Sequence, residues 1–254
     1  MQYARSNERR SDSRLRAVEY RGATVPDSHR LLLSSPKAVL TLFAARMGVK
    51  ALRSRSGHSR ERDMTSRITF ISHAATPALR RAAFPADEAL EERAIAQVKS
   101  IGWKTPGAQQ ILSAPERRAQ MTALSLNLSA SITEDLRDCD FGSWRGRELS
   151  QVQNDDPAGL VSWLTDPAAA PHGGESIEAL VGRVKGWLDR QRDAGHTIAV
   201  THPSIIRSAM ILVLDAPLQS FWRVDIAPVS LTDLRYNGSI WTLRSATTKL
   251  SQTE

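Results

Sequence analysis

Two kinds of apolar pattern alternate along the chain from about residue 64 onward. Short runs rich in β-branched residues, such as RITFIS (67–72) and TIAVTH (197–202), predict buried strands. Between such runs, apolar residues recur every three or four positions, as they do from Glu175 to Arg190, and this spacing predicts amphipathic helices. An alternation of strands and helices is typical of a parallel sheet that is covered by helices.

The same reading predicts the elements that lie between and after these runs. The expected elements are a helix over Ala86–Ile101, a strand over Gln110–Ala114, a helix opening at Pro115, a strand over Ser131–Arg137 and an apolar helix opening at Pro203. The C-terminal part alternates apolar and polar residues on both sides of Asn237-Gly238, which is the strongest short hairpin signal. We therefore expect the parallel sheet to end in an antiparallel hairpin.

Charge divides the chain into two parts. Residues 1–63 carry 14 Lys or Arg and 6 Asp or Glu, whereas residues 64–254 carry 20 and 21. The excess of positive charge belongs to the N-terminal part, so residues 64–254 are not expected to bind nucleic acid. We predict a basic, disordered extension over 1–63 and a folded domain over 64–254.

Three interpretations of the extension stay open. It is an arm that binds nucleic acid or a membrane surface, an Arg-rich targeting segment, or a nonfunctional extension that arises when translation begins upstream of a start at Met64; we favour the last. Its apolar piece, residues 38–45, is far shorter than the roughly 20 residues that span a bilayer, so no membrane anchor is expected. Cys139 is the one cysteine, which excludes an intramolecular disulfide and a Cys-rich zinc site and favours a reducing, cytoplasmic location.

The candidate chemistry lies at the ends of two predicted strands. His73 and His202 each follow a strand and precede a helix start. In open α/β sheets, ligands bind at the carboxyl ends of the strands, where helix N-termini offer free amides to anions. Two histidines in the same topological position therefore indicate one shared site.

Five motifs in order carry a resemblance to the histidine phosphatase superfamily, whose best-known branch is phosphoglycerate mutase-like. They are SHAAT (72–76), SAPERRAQMTA (113–123), LRDCDFGSWRG (136–146), GGES (173–176) and THPSIIRSA (201–209). The resemblance covers about residues 67–254. It implies an α/β fold, a three-layer α/β/α sandwich with a mostly parallel sheet.

The resemblance also implies the roles of individual residues. His73 would attack a phosphomonoester and form a phosphohistidine, while Arg118 and His202 would hold the phosphoryl oxygens. Asp138 would be the general acid, with a pKa raised by its surroundings, in the place where the family has glutamate. Glu175 is a second candidate for the acid.

Substrate contacts are implied at Ser72, Thr76, Glu175 and Pro203. The expected partner is a small phosphorylated substrate, hydrolysed without a metal or another cofactor. Residues 147–171 would form a lid over the pocket, with Trp163 and Leu164 as substrate contacts. The sequence indicates neither the identity of the substrate nor the oligomeric state.

The first motif departs from the family, which has Arg-His-Gly where this chain has Ser72-His73-Ala74. Loss of one preorganised donor typically costs about 10²–10³ in rate. A catalytically weak or inactive member that binds a phosphorylated ligand or a protein partner is therefore the alternative to an active phosphatase. Arg145 stands where the family usually has glutamate, and we expect it to be a surface residue.

Two rival sites are disfavoured. Cys139 and Arg145 satisfy the Cys-x-x-Gly-x-x-Arg pattern of cysteine-dependent phosphatases, but the flanking residues Asp138 and Asp140 oppose a thiolate. A metal site built from His73, His172 and His202 has no helical ligand spacing to support it. Gly-rich nucleotide fingerprints are absent from the sequence.

Overall fold

A mixed six-stranded sheet forms the centre of the fold in the computed structural model, which describes residues 65–251. Its strands are β1 (Ser66–Ser72), β2 (Gln110–Ser113), β3 (Ser131–Ile132), β4 (His196–Thr201), β5 (Ser230–Tyr236) and β6 (Trp241–Lys249), in the spatial order β3-β2-β4-β1-β5-β6. The first four strands run parallel to one another, whereas β5 pairs antiparallel with both β1 and β6. The predicted mostly parallel sheet with a C-terminal antiparallel hairpin is confirmed.

Seven helices surround the sheet in the described residues. They are α1 (Pro77–Arg80), α2 (Glu92–Ser100), α3 (Arg117–Ser125), α4 (Leu149–Asp155), α5 (Pro157–Thr165), α6 (Ile177–Arg190) and α7 (Pro203–Val213). Helix α2 packs on α3, and α6 packs on α7. Ser176 caps α6 by accepting a hydrogen bond from the Ala179 amide, and Pro203 opens α7 as predicted. None of these helices is long and apolar enough to cross a membrane.

Two predicted elements are shorter than their patterns suggested. The helix expected over Ala86–Ile101 begins only at Glu92, because Asp87 has a left-handed φ of 58° and its carboxylate accepts a hydrogen bond from the Arg117 amide. The helix expected from Pro115 begins at Arg117.

The strand expected over 131–137 is also shorter. Only Ser131 and Ile132 pair with β2, and residues 134–136 form a 3₁₀ turn. The guanidinium of Arg183 donates hydrogen bonds to the carbonyls of Asp135 and Arg137. This contact satisfies carbonyl groups that a strand would have offered to a neighbour.

The register of the central strands determines where the site lies. β1 and β4 are buried along nearly their whole length and pair in parallel, with Ser72 opposite Thr201. The next residues, His73 and His202, therefore leave the sheet side by side at its carboxyl edge. The N-terminal extension predicted over 1–63 lies outside the described residues.

Candidate active site

His73 and His202 meet at the carboxyl edge of the sheet. Their ring centroids are 5.2 Å apart and the ring planes are inclined by 60°. The backbone amide of His73 donates to the carbonyl of Thr201 at 2.9 Å, which continues the β1–β4 pairing up to the first histidine. The shared position predicted from the sequence thus brings the two rings together.

The hydrogen bonds of His73 determine which ring nitrogen is available. Nδ1 lies 2.8 Å from the carbonyl oxygen of Ala74, and because a carbonyl only accepts, Nδ1 carries the hydrogen. Nε2 is then left with its lone pair. Burial is the main cause that lowers the pKa of His73 to about 3, and the neighbouring His202 and Arg118 lower it further. His73 is therefore a neutral imidazole with a free lone pair at ordinary pH.

His202 is completely buried behind the first histidine. Its Nε2 lies 2.7 Å from a carboxylate oxygen of Glu116, and its Nδ1 lies 3.5 Å from Oδ2 of Asp138 without a hydrogen-bond partner among the described residues. Burial opposes the charge of Glu116, but the hydrogen bond and charge of His202 outweigh it and lower the pKa of that carboxyl. The ring is thus oriented between two carboxylates.

Arg118 enters the site from the first turn of α3. Its side chain is 2% exposed, and Nη2 donates to Asp138 Oδ2 at 2.6 Å. The other two nitrogens, Nε and Nη1, are buried and donate no hydrogen bond within residues 65–251. A buried guanidinium with two unmatched donors is suited to the oxygen atoms of an anion.

Asp138 is surrounded by donors. Besides Arg118, it accepts hydrogen bonds from the Ser204 hydroxyl and from the amide of Cys139. Burial alone would raise the pKa of Asp138, but the charges of His202 and Arg118 and the Ser204 hydrogen bond hold that pKa well below its usual range. This corrects the expected raised pKa, because the surrounding donors and positive charge favour the anionic carboxylate.

One cavity of about 360 Å³ joins these groups. Five predicted site residues line it: His73, Thr76, Arg118, Asp138 and Pro203. Thr76 is also the N-cap of α1 and accepts a hydrogen bond from the Leu79 amide. His202 does not line the cavity, but lies behind His73 and Asp138 in its wall.

A comparison with known protein families shows to which superfamily the chain belongs. The family model described as "Histidine phosphatase superfamily (branch 1)" matches residues 68–249. The chain belongs to this superfamily. The family predicted from the five motifs is therefore confirmed.

Similar proteins include one named as a bifunctional protein and several named as phosphatases. Bifunctional protein Rv2228c of Mycobacterium tuberculosis is 28% identical over 162 residues, which cover 56% of this chain and 44% of that protein. Phosphoserine phosphatase 1 of Hydrogenobacter thermophilus is 30% identical over 120 residues, which cover 44% of this chain and 57% of that one. The chain thus spans about half the length of these relatives.

Solved structures show the same fold. The alpha-ribazole phosphatase from Shigella flexneri aligns with a TM-score of 0.65 at 22% identity, covering 74% of this chain and 99% of that one. Its similarity supports the α/β fold of the histidine phosphatases.

Ser72, in the place of the family's arginine, does not contact the cavity. Its side chain is fully buried, and its hydroxyl donates to the carbonyl of Ala227 at 2.5 Å and accepts from the amide of Ser230 at 3.0 Å. Side chains alternate along a strand, so the residue before His73 faces away from the ring. The predicted substrate contact of Ser72 is therefore wrong, and the residue joins β1 to the segment before β5.

Glu175 is also directed away from the cavity. Its two carboxylate oxygens accept from Nε and Nη2 of Arg183 at 2.9 and 2.8 Å, and Arg137 lies 3.7 Å away. Arg183 also binds the carbonyl of Asp138, so this ion pair supports the loop that carries the acid. The predicted roles of Glu175 as substrate contact and alternative acid are corrected to a supporting one.

Glycines allow the third and fourth motifs to approach each other. The Glu175 amide donates to the carbonyl of Asp140 at 2.7 Å, and the Ser143 amide donates to that of His172 at 2.9 Å. A side chain at Gly142 or Gly174 would overlap these carbonyls, since a Cβ built there lies 2.0 Å from the nearest oxygen. The two motifs together position Asp138.

The rival sites do not assemble. The pKa of the Cys139 thiol is raised by burial and by the negative charges of Asp138 and Glu175, which opposes a thiolate. Arg145 is an exposed partner of Asp140, as expected for a surface residue. Residues 65–251 contain no group of three or more His, Cys, Asp or Glu side chains placed to hold a metal.

Sequence reasoning missed Glu116, Ser204 and Arg207. Glu116 binds His202, Ser204 donates a hydrogen bond to Asp138, and Arg207 lines the 360 Å³ cavity. Each lies inside a motif that was recognised, SAPERRAQMTA or THPSIIRSA. Position within a motif was therefore the available signal, but only the folded arrangement shows which side chain each of them contacts.

Proposed function

We propose that this chain is a phosphatase that hydrolyses small phosphomonoesters through a phosphohistidine at His73, without a metal ion. The observation that carries this proposal is the pairing of a neutral imidazole with the unmatched buried donors of Arg118 in one cavity. A nucleophile needs a free lone pair, and a phosphoryl group needs fixed donors for its oxygens. His73 and Arg118, which line the same cavity, meet these two requirements.

The first half-reaction transfers the phosphoryl group to the enzyme. His73 Nε2 attacks phosphorus, the P–O bond to the ester oxygen breaks, and the leaving oxygen takes a proton from Asp138. Arg118 binds the phosphoryl oxygens through Nε and Nη1. We assign His202 to the positioning of His73 and Asp138 instead, because it does not line the cavity and its Nδ1 lies 3.5 Å from Asp138 Oδ2. The products are an alcohol and a phosphohistidine.

The proton for the leaving group must first reach Asp138. In the free site, Arg118 and His202 hold this carboxyl in its anionic form. A bound phosphoryl dianion shares Arg118 and adds negative charge beside the carboxylate, and a like charge raises the pKa of an acid. Asp138 therefore takes up a proton when the substrate binds. In the second half-reaction it accepts the proton of the attacking water, the P–N bond breaks, and inorganic phosphate leaves.

A catalytically weak binder of phosphorylated ligands is the second candidate. The observation that favours it is Ser72, because its hydroxyl is engaged by Ala227 and Ser230 and brings no charge to the phosphoryl group. Such a protein would retain phosphate affinity through Arg118 but turn over slowly. The cytoplasmic location, the small phosphorylated substrate as partner and the interpretations of residues 1–63 stay predictions.

The test measures hydrolysis of para-nitrophenyl phosphate in the presence of EDTA by the parent and by His73→Ala, with Arg145→Ala as the control. We expect loss of activity in His73→Ala alone, and an acid-labile phosphoryl group on the parent after rapid quenching. Equal rates in the parent and His73→Ala would refute the phosphatase. Phosphate binding by calorimetry without turnover in the parent would establish the second candidate.

A further inference from the structure

We propose that the substrate of this site carries a bulky apolar leaving group, an alkyl or aryl chain esterified to the phosphate. This inference rests on the proposed function and names its substrate class. The 360 Å³ cavity that His73 and Arg118 line is called the phosphoryl cavity here. A second cavity, of about 560 Å³, adjoins it. Five residues line both cavities: Ala83, Pro85, Phe141, Ser204 and Arg207. We call the second cavity the apolar annex.

Aromatic rings form much of the wall of the apolar annex. Phe84, Trp163 and Trp222 pack edge to face, with centroids 5.6 Å apart for Phe84 and Trp163 and 4.3 Å apart for Trp163 and Trp222. Such a wall offers large apolar area at fixed positions. It matches a ring or a hydrocarbon chain in size and in chemistry.

Polar groups are scarce in the same wall. Among the described lining residues Arg207 carries the only formal charge, and Gln153 and Ser204 are the other strongly polar side chains. A sugar or an amino acid placed here would lose hydrogen bonds to water that this wall does not replace, which weakens its binding. The annex therefore selects against polyhydroxylated and zwitterionic leaving groups.

Helices α4 and α5 leave apolar side chains exposed at this cavity. Leu149, Val161 and Leu164 line it, although they are 39%, 60% and 44% exposed. Apolar residues gathered at a cavity, rather than scattered singly, are typical of a ligand-binding surface. These residues lie within the segment 147–171 that was predicted to form a lid, and Trp163 also lines the annex.

Arg207 separates the polar and apolar parts of the site. Its Nε donates to the carbonyl of Val224 at 2.7 Å, and its guanidinium lies 5.6 Å from the ring centroid of Phe221. These contacts fix a cation where the two cavities join. A phosphomonoester bound with its anionic end at Arg118 must then pass Arg207 and extend its other end into the annex.

A homologous series of substrates tests the inference. Release of inorganic phosphate is measured for ethyl, butyl, hexyl and octyl phosphate, for 1-naphthyl phosphate and for O-phosphoserine. We expect kcat/KM to rise with chain length, by up to about fourfold per methylene if each is fully buried, and 1-naphthyl phosphate to exceed O-phosphoserine by a large factor. Equal values along the alkyl series, or a preference for O-phosphoserine, would overturn the inference and leave the phosphatase intact.

A pair of exposed leucines supplies the variant and its control. Leu164→Asp places a carboxylate at the annex and should flatten the dependence on chain length. Leu124→Asp changes a residue on α3 that is 75% exposed and lies outside both cavities, and should keep the slope of the parent. Similar slopes in both variants would contradict the assigned position of the leaving group.

A binding measurement separates the two proposals. Octylphosphonate, which has no ester bond to hydrolyse, is titrated against the parent while tryptophan fluorescence is recorded. If no phosphomonoester is turned over, the proposed phosphatase fails, and tighter binding of octylphosphonate than of ethylphosphonate still supports the annex. Equal affinity of the two phosphonates would refute it.

Discussion

Replacement of Glu116 should impair catalysis although Glu116 does not line the phosphoryl cavity. One of its carboxylate oxygens lies 2.7 Å from His202 Nε2, and the other accepts from the amide of Asp138 at 2.8 Å. It therefore supports the ring that positions His73 and the carboxylate that we assign to the reaction. Its neighbour His202 is fully buried, so water cannot replace the lost acceptor easily.

The size of the effect follows from these two contacts. Hydrogen bonds to charged groups contribute about 1.5–3 kcal/mol, which corresponds to roughly 10- to 150-fold in rate. Glu116→Gln keeps an acceptor of the same shape and should lie at the low end. Glu116→Ala loses both contacts and should lie at the high end. The loss should appear in kcat rather than in KM, because Arg118 still binds the ground-state phosphate.

The assay is steady-state release of phosphate by Glu116→Gln, Glu116→Ala and the control Glu178→Gln, together with thermal unfolding of each. Glu178 is an exposed residue in the first turn of α6, so its variant should behave like the parent. Unchanged kcat in Glu116→Ala, with unchanged thermal stability, would refute the reasoning that His202 depends on this carboxylate. A rise in KM alone would instead assign Glu116 to ground-state binding.

Two further predictions concern Ser72 and acid. Ser72→Ala should leave kcat/KM nearly unchanged but lower the free energy of unfolding by about 1–3 kcal/mol, because the buried Ser230 amide loses its acceptor. A loss of kcat/KM by about 10²–10³-fold without destabilisation would instead show that Ser72 contacts the phosphate. Since the pKa of His73 is lowered to about 3, the nucleophile stays neutral as the pH falls from 8 to 5. The acid limb of kcat/KM should follow the second ionisation of the substrate phosphate, near pH 6, and should move with substrates of different acidity; a limb fixed for all substrates would contradict this. In the unfolded chain His73 has its ordinary pKa of about 6.5, whereas in the folded protein its pKa is about 3. Between these two values the unfolded chain binds a proton that the folded protein does not bind. The contribution of His73 should therefore lower the free energy of unfolding as the pH falls from about 6.5 towards 3.

The sequence was sufficient where backbone pairing alone determines position. His73 and His202 each follow a strand, and the parallel register of Ser72 with Thr201 places the next residues side by side. Pattern reasoning therefore predicted the shared site before any distance was known. The same holds for Arg118, since it lies in the first helical turn after β2, where the side chain projects towards the carboxyl edge of the sheet.

Side-chain partners at a distance were not predictable in the same way. Glu175 lies in a recognised motif, but its carboxylate binds Arg183, eight residues further on, and not the cavity. Ser72 is adjacent to the nucleophile, yet its hydroxyl binds Ala227, 155 residues later in the chain. Proximity in sequence to a catalytic residue thus did not indicate proximity to the ligand, because neighbouring strand residues face opposite sides.

The charge balance of the site determines the state of its acid. Ser72 brings no charge to the first motif, and its hydroxyl binds Ala227 and Ser230 outside the cavity. Arg118 is then the cation that holds both Asp138 and the proposed phosphate, since its Nη2 binds Asp138 while Nε and Nη1 have no partner in the described part of the chain. Asp138 and the bound phosphate then share the guanidinium of Arg118, which weakens the interaction of Arg118 with Asp138. Binding of the phosphate therefore makes protonation of Asp138 easier, and the protonated acid is the state that the leaving group of the proposed reaction requires.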